Sequence, residues 1–325
     1  MHPPRVVIAG AGFPAIRAHL VDALPHVSIE ALAPEVLRAS GCEADVLIPT
    51  MTRIDGPLMD RVGGLRLIQQ WGAGLEGVDI PAATRRGIPV ANVPTEGTGN
   101  AESVAEWCVM AAIAAGRRLG DLQEGMRAGS GWGAPLGRAL IGRTAGILGL
   151  GGIGRALAAR LAPFGMQRIG ATRHPDAALG ARLGLDALYA LDELPAFLAR
   201  SDFLFLCLPV TAETRGILDG RALATLPAGA CVVNPARGGL LDEQALLAAI
   251  DSGRLLGAGL DVFQQEPLPP ASPLLARRAI LATPHVAGAT DASYRGIAQG
   301  VAENVRRLLR GEPLRSCANA DALGR

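Results

Sequence analysis

A chain of 325 residues, 49% hydrophobic and 19% charged, is long enough to build two compact cores. Its 31 basic and 30 acidic residues leave a net charge of +1 with no basic block, which argues against a nucleic-acid or membrane-surface partner. No apolar run approaches the roughly 18 residues that a membrane helix needs.

The opening residues lead directly into a strand-like run and carry no secretory pattern. The five cysteines (Cys42, Cys108, Cys207, Cys231, Cys317) are scattered without a CxxC, so buried thiols in a reducing, cytoplasmic setting are expected. Every basic residue is an arginine. Schiff-base chemistry and a lysine-bearing P-loop are therefore excluded, and any anion site must use arginine or backbone N–H groups. No metal-ligand spacing is evident.

Strand-like runs are predicted at residues 5–10, 27–31, 45–49, 66–70 and 90–92, with helices between them. This βαβ rhythm predicts one small parallel α/β domain. Asn100 stands where a helix N-cap is expected, ahead of a helix over 101–118. That helix is apolar on most sides, which predicts burial between domains or between subunits. A glycine-rich link with Trp132 spans 128–142. A second βαβ series runs from Thr144 to about Pro284, and a last helix covers 290–309.

The dinucleotide fingerprint G-x-G-x-x-G/A occurs twice. The first copy is Gly10-Ala11-Gly12-Phe13-Pro14-Ala15, with Glu30 read as ending the next strand, where a ribose-binding acid belongs. The second is Gly149-Leu150-Gly151-Gly152-Ile153-Gly154, between a strand at 145–148 and a helix at 155–161. Pro14 weighs against the first, because it removes a donor N–H from the first turn. In the second, Gly149 makes the tight turn, Gly151 lets the backbone approach a pyrophosphate, and Gly154 lets helix and strand pack closely.

Around the second copy lies a series of motifs in fixed order. They are Gly72-Ala73-Gly74 with Val78-Asp79, Asn92-Val93-Pro94, Val104-Ala105-Glu106, the glycine turn, and Leu208-Pro209 with Thr214. Asn234-Pro235-Ala236-Arg237-Gly238-Gly239, Leu260-Asp261-Val262-Phe263, Glu266-Pro267-Leu268 and Thr283-Pro284-His285-Val286-Ala287-Gly288 complete it. Over residues 66–290 the chain thereby resembles the D-isomer-specific 2-hydroxyacid dehydrogenases, which include glyoxylate/hydroxypyruvate reductases and phosphoglycerate dehydrogenase. The resemblance implies two doubly wound parallel-sheet domains. One is a flavodoxin-like substrate domain of residues 1–100 completed by 288–325. The other is an inserted Rossmann NAD(P)-binding domain of residues 101–287. It also makes the second glycine turn the cofactor site.

Reducing a 2-oxo acid requires a carboxylate clamp, a proton for the new alkoxide and a hydride donor. Arg237 suits the clamp, since its planar fork keeps its charge. His285 suits the proton, because imidazole titrates near working pH. Glu266 suits the partner that orients His285 and raises its pKa. By resemblance, Ala73 and Gly74 offer N–H groups to the substrate carboxylate, and Asp261 meets the nicotinamide carboxamide or tunes the Arg/Glu pair. Gly152, Ile153, Leu208, Pro209, Thr214, Pro235, Ala236 and Gly288 complete the expected cofactor contacts. Side-chain selectivity is expected from Gln69-Gln70-Trp71 and Met51-Thr52-Arg53.

NAD-preferring relatives end the second Rossmann strand with an aspartate; here that position is Thr172, followed by Arg173 and His174. A neutral hydroxyl beside a cation suits a 2′-phosphate, so NADP(H) is preferred and NAD(H) is possible. A homodimer pairing through the helix 101–118 is expected. Formate dehydrogenases share the fold but place glutamine at the Glu266 position, and phosphite-oxidising relatives carry a lysine in the Gly72-Ala73-Gly74 loop. An NAD(H)-sensing corepressor is the non-catalytic alternative, disfavoured by the lack of an extended tail.

Overall fold

The computed structural model describes residues 3–10 and 14–324. The chain divides into two compact units, Met1–Asn100 with Thr290–Arg325, and Ala101–Ala289. Among the described residues no helix is long and apolar enough to cross a membrane.

The first unit is built on five strands, β1 (Arg5–Ala9), β2 (Ser28–Leu32), β3 (Val46–Ile48), β4 (Leu67–Gln69) and β5 (Val90–Ala91). They pair in parallel in the order β2-β1-β3-β4-β5, the flavodoxin-like order. Both faces of the sheet are covered, which is why the strands are apolar at successive positions. Val6, Ile8, Ile48 and Leu67 pack with the helices Pro14–Ala23 and Asp291–Arg310. Val7, Leu47, Ile68 and Val90 pack on the other side, with Leu37, Leu58 and Ala82.

The helix Asp291–Arg310 starts where the Thr290 hydroxyl accepts the Ser293 N–H at 3.2 Å. It ends at Gly311, with φ 70°, and carries Arg307 and Arg310 in its last turn. After it the chain returns to the edge of β5: Ala318 N donates to Val90 O (2.7 Å), and the buried Asn319 accepts from Val90 N (2.8 Å). This covers a sheet edge that would otherwise offer unpaired backbone groups.

In the second unit, seven parallel strands are β6 (Thr144–Leu148), β7 (Gln167–Thr172), β8 (Ala187–Ala190), β9 (Phe203–Leu206), β10 (Ala230–Asn234), β11 (Leu255–Leu260) and β12 (Ile280–Ala282). Their order is β8-β7-β6-β9-β10-β11-β12, a Rossmann arrangement whose direction of winding reverses between β6 and β9. Ala145, Ile147, Phe203, Phe205 and Val233 face the helices Asn100–Gly116 and Gly152–Leu161. Leu148, Leu204, Leu206 and Val232 face the other layer.

Three expectations need correction. Asn100 is the first residue of the helix Asn100–Gly116 and not its cap; its Nδ2 donates to Ser293 Oγ at 3.0 Å, and its own N–H reaches the Thr98 hydroxyl at 3.3 Å. The long helix stops at Gly116: Arg118 takes a left-handed conformation (φ 55°), its guanidinium pairs with Asp121 at 2.8 Å, and a separate helix Leu119–Arg127 follows. Glu30 lies in the middle of β2, exposed and 3.8 Å from Arg5, and does not end the strand. Of the first glycine fingerprint, Ala11, Gly12 and Phe13 lie outside the described residues, and Pro14 opens its helix.

Candidate active site

β6 ends at Leu148 and the glycine turn follows, beside the point where the sheet changes direction. Gly149 has φ 102°, and its N–H is held by Ala171 O at 2.8 Å. A Cβ at Gly149 would press on Cys207 O, and one at Gly154 would collide with Gly149 O. A Cβ at Gly151 would meet nothing within 4 Å. Among the described residues no side chain caps the helix Gly152–Leu161, which leaves the N–H groups of its first turn for a ligand. An uncapped helix start under an open glycine turn fits a dinucleotide pyrophosphate.

The other proposed cofactor residues lie around this sheet edge. Leu208 and Pro209 follow β9. The buried Thr214 donates to Pro209 O and accepts the Thr211 N–H, both at 2.7 Å, which closes that loop on itself. Thr172 ends β7, and the adjacent Arg173 holds Glu213 at 3.0 Å on the surface, with His174 exposed beside it. Pro235 and Ala236 lie in the turn after β10, and Gly288 follows the His285 turn.

Arg237, Glu266 and His285 come together on the second unit. Asn234, fully buried at the end of β10, shapes the first turn: its Oδ1 accepts Ala236 N (3.1 Å), and its Nδ2 donates to Arg237 O (2.9 Å). Glu266 accepts Phe263 N on Oε1 (2.9 Å) and His285 Nδ1 on Oε2 (2.8 Å). Burial pushes the Glu266 carboxyl up. The His285 and Phe263 hydrogen bonds, with the charges of His285 and Arg237, outweigh this and hold it below the usual glutamate range. An ionised carboxylate can only accept, so Nδ1 of His285 carries the hydrogen and Nε2 faces away from Glu266.

His285 itself has a left-handed backbone, φ 56°. The buried Asp261 imposes it. Its Oδ1 accepts the Thr283 hydroxyl (2.5 Å) and Val286 N (2.8 Å), its Oδ2 accepts Ala287 N (2.8 Å), and its backbone O accepts His285 N (2.8 Å). Burial raises the Asp261 carboxyl, against these hydrogen bonds.

On the first unit, the carbonyls of the turn after β4 are each held by a donor. Val93 N donates to Gly72 O (3.0 Å), Asn92 Nδ2 to Ala73 O (2.7 Å) and Gln70 Nε2 to Gly74 O (2.7 Å). Asn92, Gln70, Asn234 and Thr283 were not singled out as shaping groups. Their signal was a side-chain amide or hydroxyl at the end of an apolar run, where a buried polar group must find a backbone partner.

The description "D-isomer specific 2-hydroxyacid dehydrogenase, NAD binding domain" matches residues 109–287. The chain belongs to the D-isomer-specific 2-hydroxyacid dehydrogenase family. It is 36% identical over 297 residues to glyoxylate/hydroxypyruvate reductase B of Yersinia pestis (strain Pestoides F), spanning 89% of this chain and 88% of that one. It is 38% identical over 288 residues to the D-3-phosphoglycerate dehydrogenase of Mycobacterium leprae, 88% of this chain but only 53% of the relative. The chain thus spans about half the length of the phosphoglycerate dehydrogenases it matches. A solved D-isomer-specific 2-hydroxyacid dehydrogenase from Xanthobacter autotrophicus Py2, in complex with NADPH and MES, has a TM-score of 0.73 and 29% identity, covering 99% of this chain and 100% of the other.

The Glu266 geometry has a consequence for stability. Its folded carboxyl is more acidic than the unfolded one, so the pair stabilises the fold above the unfolded pKa, and that contribution is lost as pH falls through the lower folded value. Glu266→Gln removes this linkage. Urea-unfolding free energies should therefore fall less steeply for the variant than for the wild type as pH drops below about 5, through the ordinary glutamate value of about 4.3. Parallel profiles would show that the pairing carries no stability.

Proposed function

We propose that this dehydrogenase reduces a small 2-oxo acid of the glyoxylate or hydroxypyruvate type to the D-2-hydroxy acid, preferring NADP(H) and accepting NAD(H). The His285–Glu266 hydrogen bond beside Arg237 carries this reading. A carboxylate behind the histidine suits a reaction that moves a proton, which formate oxidation does not require. Similarity to the Yersinia reductase along nearly all of both chains supports the substrate class. We assign the cofactor to the unit Ala101–Ala289 and the substrate carboxylate to the Ala73 and Gly74 N–H groups of the other unit.

A reduced nicotinamide cofactor, held through its pyrophosphate by the Gly149 turn, would supply the hydride. Arg237 holds the substrate carboxylate in its planar fork and polarises the ketone oxygen. His285 gives its Nε2 proton to the forming alkoxide. Glu266 keeps Nδ1–H engaged throughout, so the ring does not rotate, and its charge stabilises the imidazolium before the proton leaves. In the reverse direction the neutral Nε2 takes the hydroxyl proton. Cofactor choice rests on Thr172 and Arg173, and the NADPH bound by the Xanthobacter relative supports it. The cysteines are all free, which supports a reducing, cytoplasmic setting.

A homodimer is part of this proposal, with one change of reasoning. The helix Asn100–Gly116 buries most of its apolar surface within its own unit, leaving Met110 and Ile113 exposed. Along the following segment Met126, Trp132, Leu136 and Ile141 are 64–91% exposed. Apolar exposure of this kind over one stretch suits a second copy of the chain.

Three measurements test these points. Arg237→Ala should lower kcat/KM for 2-oxo acids by about two to three orders of magnitude, and Arg237→Lys should recover little, because a point charge imitates a fork badly. Near-wild-type efficiency in the alanine variant would remove Arg237 from the reaction.

Arg173→Ala should weaken NADPH by roughly ten- to hundredfold, the worth of a charge-assisted contact of about 1.5–3 kcal/mol, and NADH far less. Adding Thr172→Asp should reverse the preference. A wild type that favours NADH, or an unmoved NADPH/NADH ratio in Arg173→Ala, overturns the phosphate assignment.

Sedimentation at micromolar concentration should give twice the chain mass, with Met110→Glu/Leu136→Glu shifting toward monomer. A monomeric wild type contradicts the dimer.

A further inference from the structure

We infer that Gln70 is a positioning residue that sets the affinity for the substrate carboxylate, by holding the Gly72-Ala73-Gly74 turn with its N–H groups outward. The inference rests on the carboxylate assignment proposed above and adds the group that makes the turn an anion site.

Gln70 is 7% exposed and spends both ends of its amide on the turn. Oε1 accepts the Trp71 N–H at 2.9 Å, at the start of the turn, and Nε2 donates to Gly74 O at 2.7 Å, at its end. The side chain therefore closes the loop as a brace. With Val93 N on Gly72 O and Asn92 Nδ2 on Ala73 O, each of three successive carbonyls is held by a donor. Gly72 adopts φ 91°, which only glycine takes without strain. Among the described residues nothing accepts from the N–H groups of Ala73 and Gly74. Adjacent outward N–H groups on a pinned turn form an anion-binding concavity, and a chain without lysine depends on such groups.

Nε2 of Gln70 also lies 3.5 Å from Thr50 O, in the loop after β3. Thr50 is itself left-handed, φ 50°, with its hydroxyl on Ala9 O at 2.8 Å. That loop exposes Met51, one of the residues expected to shape side-chain selectivity. One amide thus ties the carboxylate turn to the selectivity loop.

Two variants separate the brace from its bulk. Gln70→Glu retains an acceptor for Trp71 N but turns an acceptor toward Gly74 O and adds negative charge beneath the arriving carboxylate. Gln70→Met keeps the volume and loses both bonds; Asn92→Asp, on the neighbouring carbonyl, serves if either variant fails to fold. With saturating NADPH and with glyoxylate or hydroxypyruvate varied, KM should rise about tenfold or more, the equivalent of one lost hydrogen bond to a charged group, while kcat changes less than about threefold. The NADPH dissociation constant, read by nicotinamide fluorescence, should stay within about twofold, since that ligand is assigned to the other unit.

A KM unchanged in a folded variant, or a kcat loss without a KM change, overturns the assignment. Calorimetric titration with oxamate in the presence of NADPH separates this claim from the proposed activity. If the wild type turns over no 2-oxo acid, the activity reading fails. Weaker oxamate binding by the variants then still upholds the brace, and equal binding, or none by the wild type, overturns it.

Discussion

A single buried carboxylate, Asp261 at the end of β11, fixes the geometry on which the second unit's candidate site depends. It gathers the Thr283 hydroxyl and the N–H groups of Val286 and Ala287, while its backbone carbonyl takes His285 N. These bonds reverse the chain within a few residues and hold His285 in a left-handed conformation, uncommon for a residue other than glycine. Burying a charge is costly unless it is hydrogen-bonded, and here the bonds that offset the cost also aim the histidine at Glu266. The expected contact of Asp261 with nicotinamide assigned it a ligand-facing role; its oxygens are also committed to the backbone of the site.

The same device recurs at other strand ends. Asn234 folds the turn that carries Arg237, and Gln70 with Asn92 pins the turn that carries Ala73 and Gly74. A parallel sheet covered on both faces leaves only its strand ends to present polar groups. The turns there have carbonyls that need donors once the chain reverses. A short amide is long enough to satisfy them and rigid enough to hold the turn in one conformation, so the groups facing outward are oriented before any ligand arrives.

Much of this was legible in the sequence. Doubly covered parallel strands appear as short unbroken apolar runs, which is why β1, β3, β4 and β6 could be located to within a residue or so. Arg237, Glu266 and His285 were singled out by the chemistry of their residue types in a recognisable motif series, and the fold brings Glu266 onto His285 with the Arg237 charge near it. Local signals failed where tertiary contacts decided the outcome. Asn100 has the composition of a cap, but Ser293, 193 residues further on, takes its amide. Nothing in the alanine-rich run announces the break at Arg118, which depends on one residue turning left-handed so that its guanidinium meets Asp121. The return of the last residues to the edge of β5 joins backbone pairing to the buried Asn319 side chain, contacts made across more than 200 residues that leave no local pattern.

The absence of lysine gives these arrangements a common logic. Anions must be met by guanidinium forks or by backbone donors, and both need to be held in position in a way that a flexible ammonium does not. Arg173 illustrates the difference. It is engaged by Glu213, whose carboxylate also accepts the Thr211 hydroxyl at 3.0 Å within the loop locked by Thr214. An exposed pair of this kind contributes about 0–1 kcal/mol, whereas a guanidinium–phosphate contact contributes about 1.5–3 kcal/mol. In the proposed reading, exchange of Glu213 for a 2′-phosphate therefore runs downhill. The acid holds the guanidinium extended at the end of β7 without competing strongly for it. In that reading the acid occupies the guanidinium until the cofactor's phosphate takes its place.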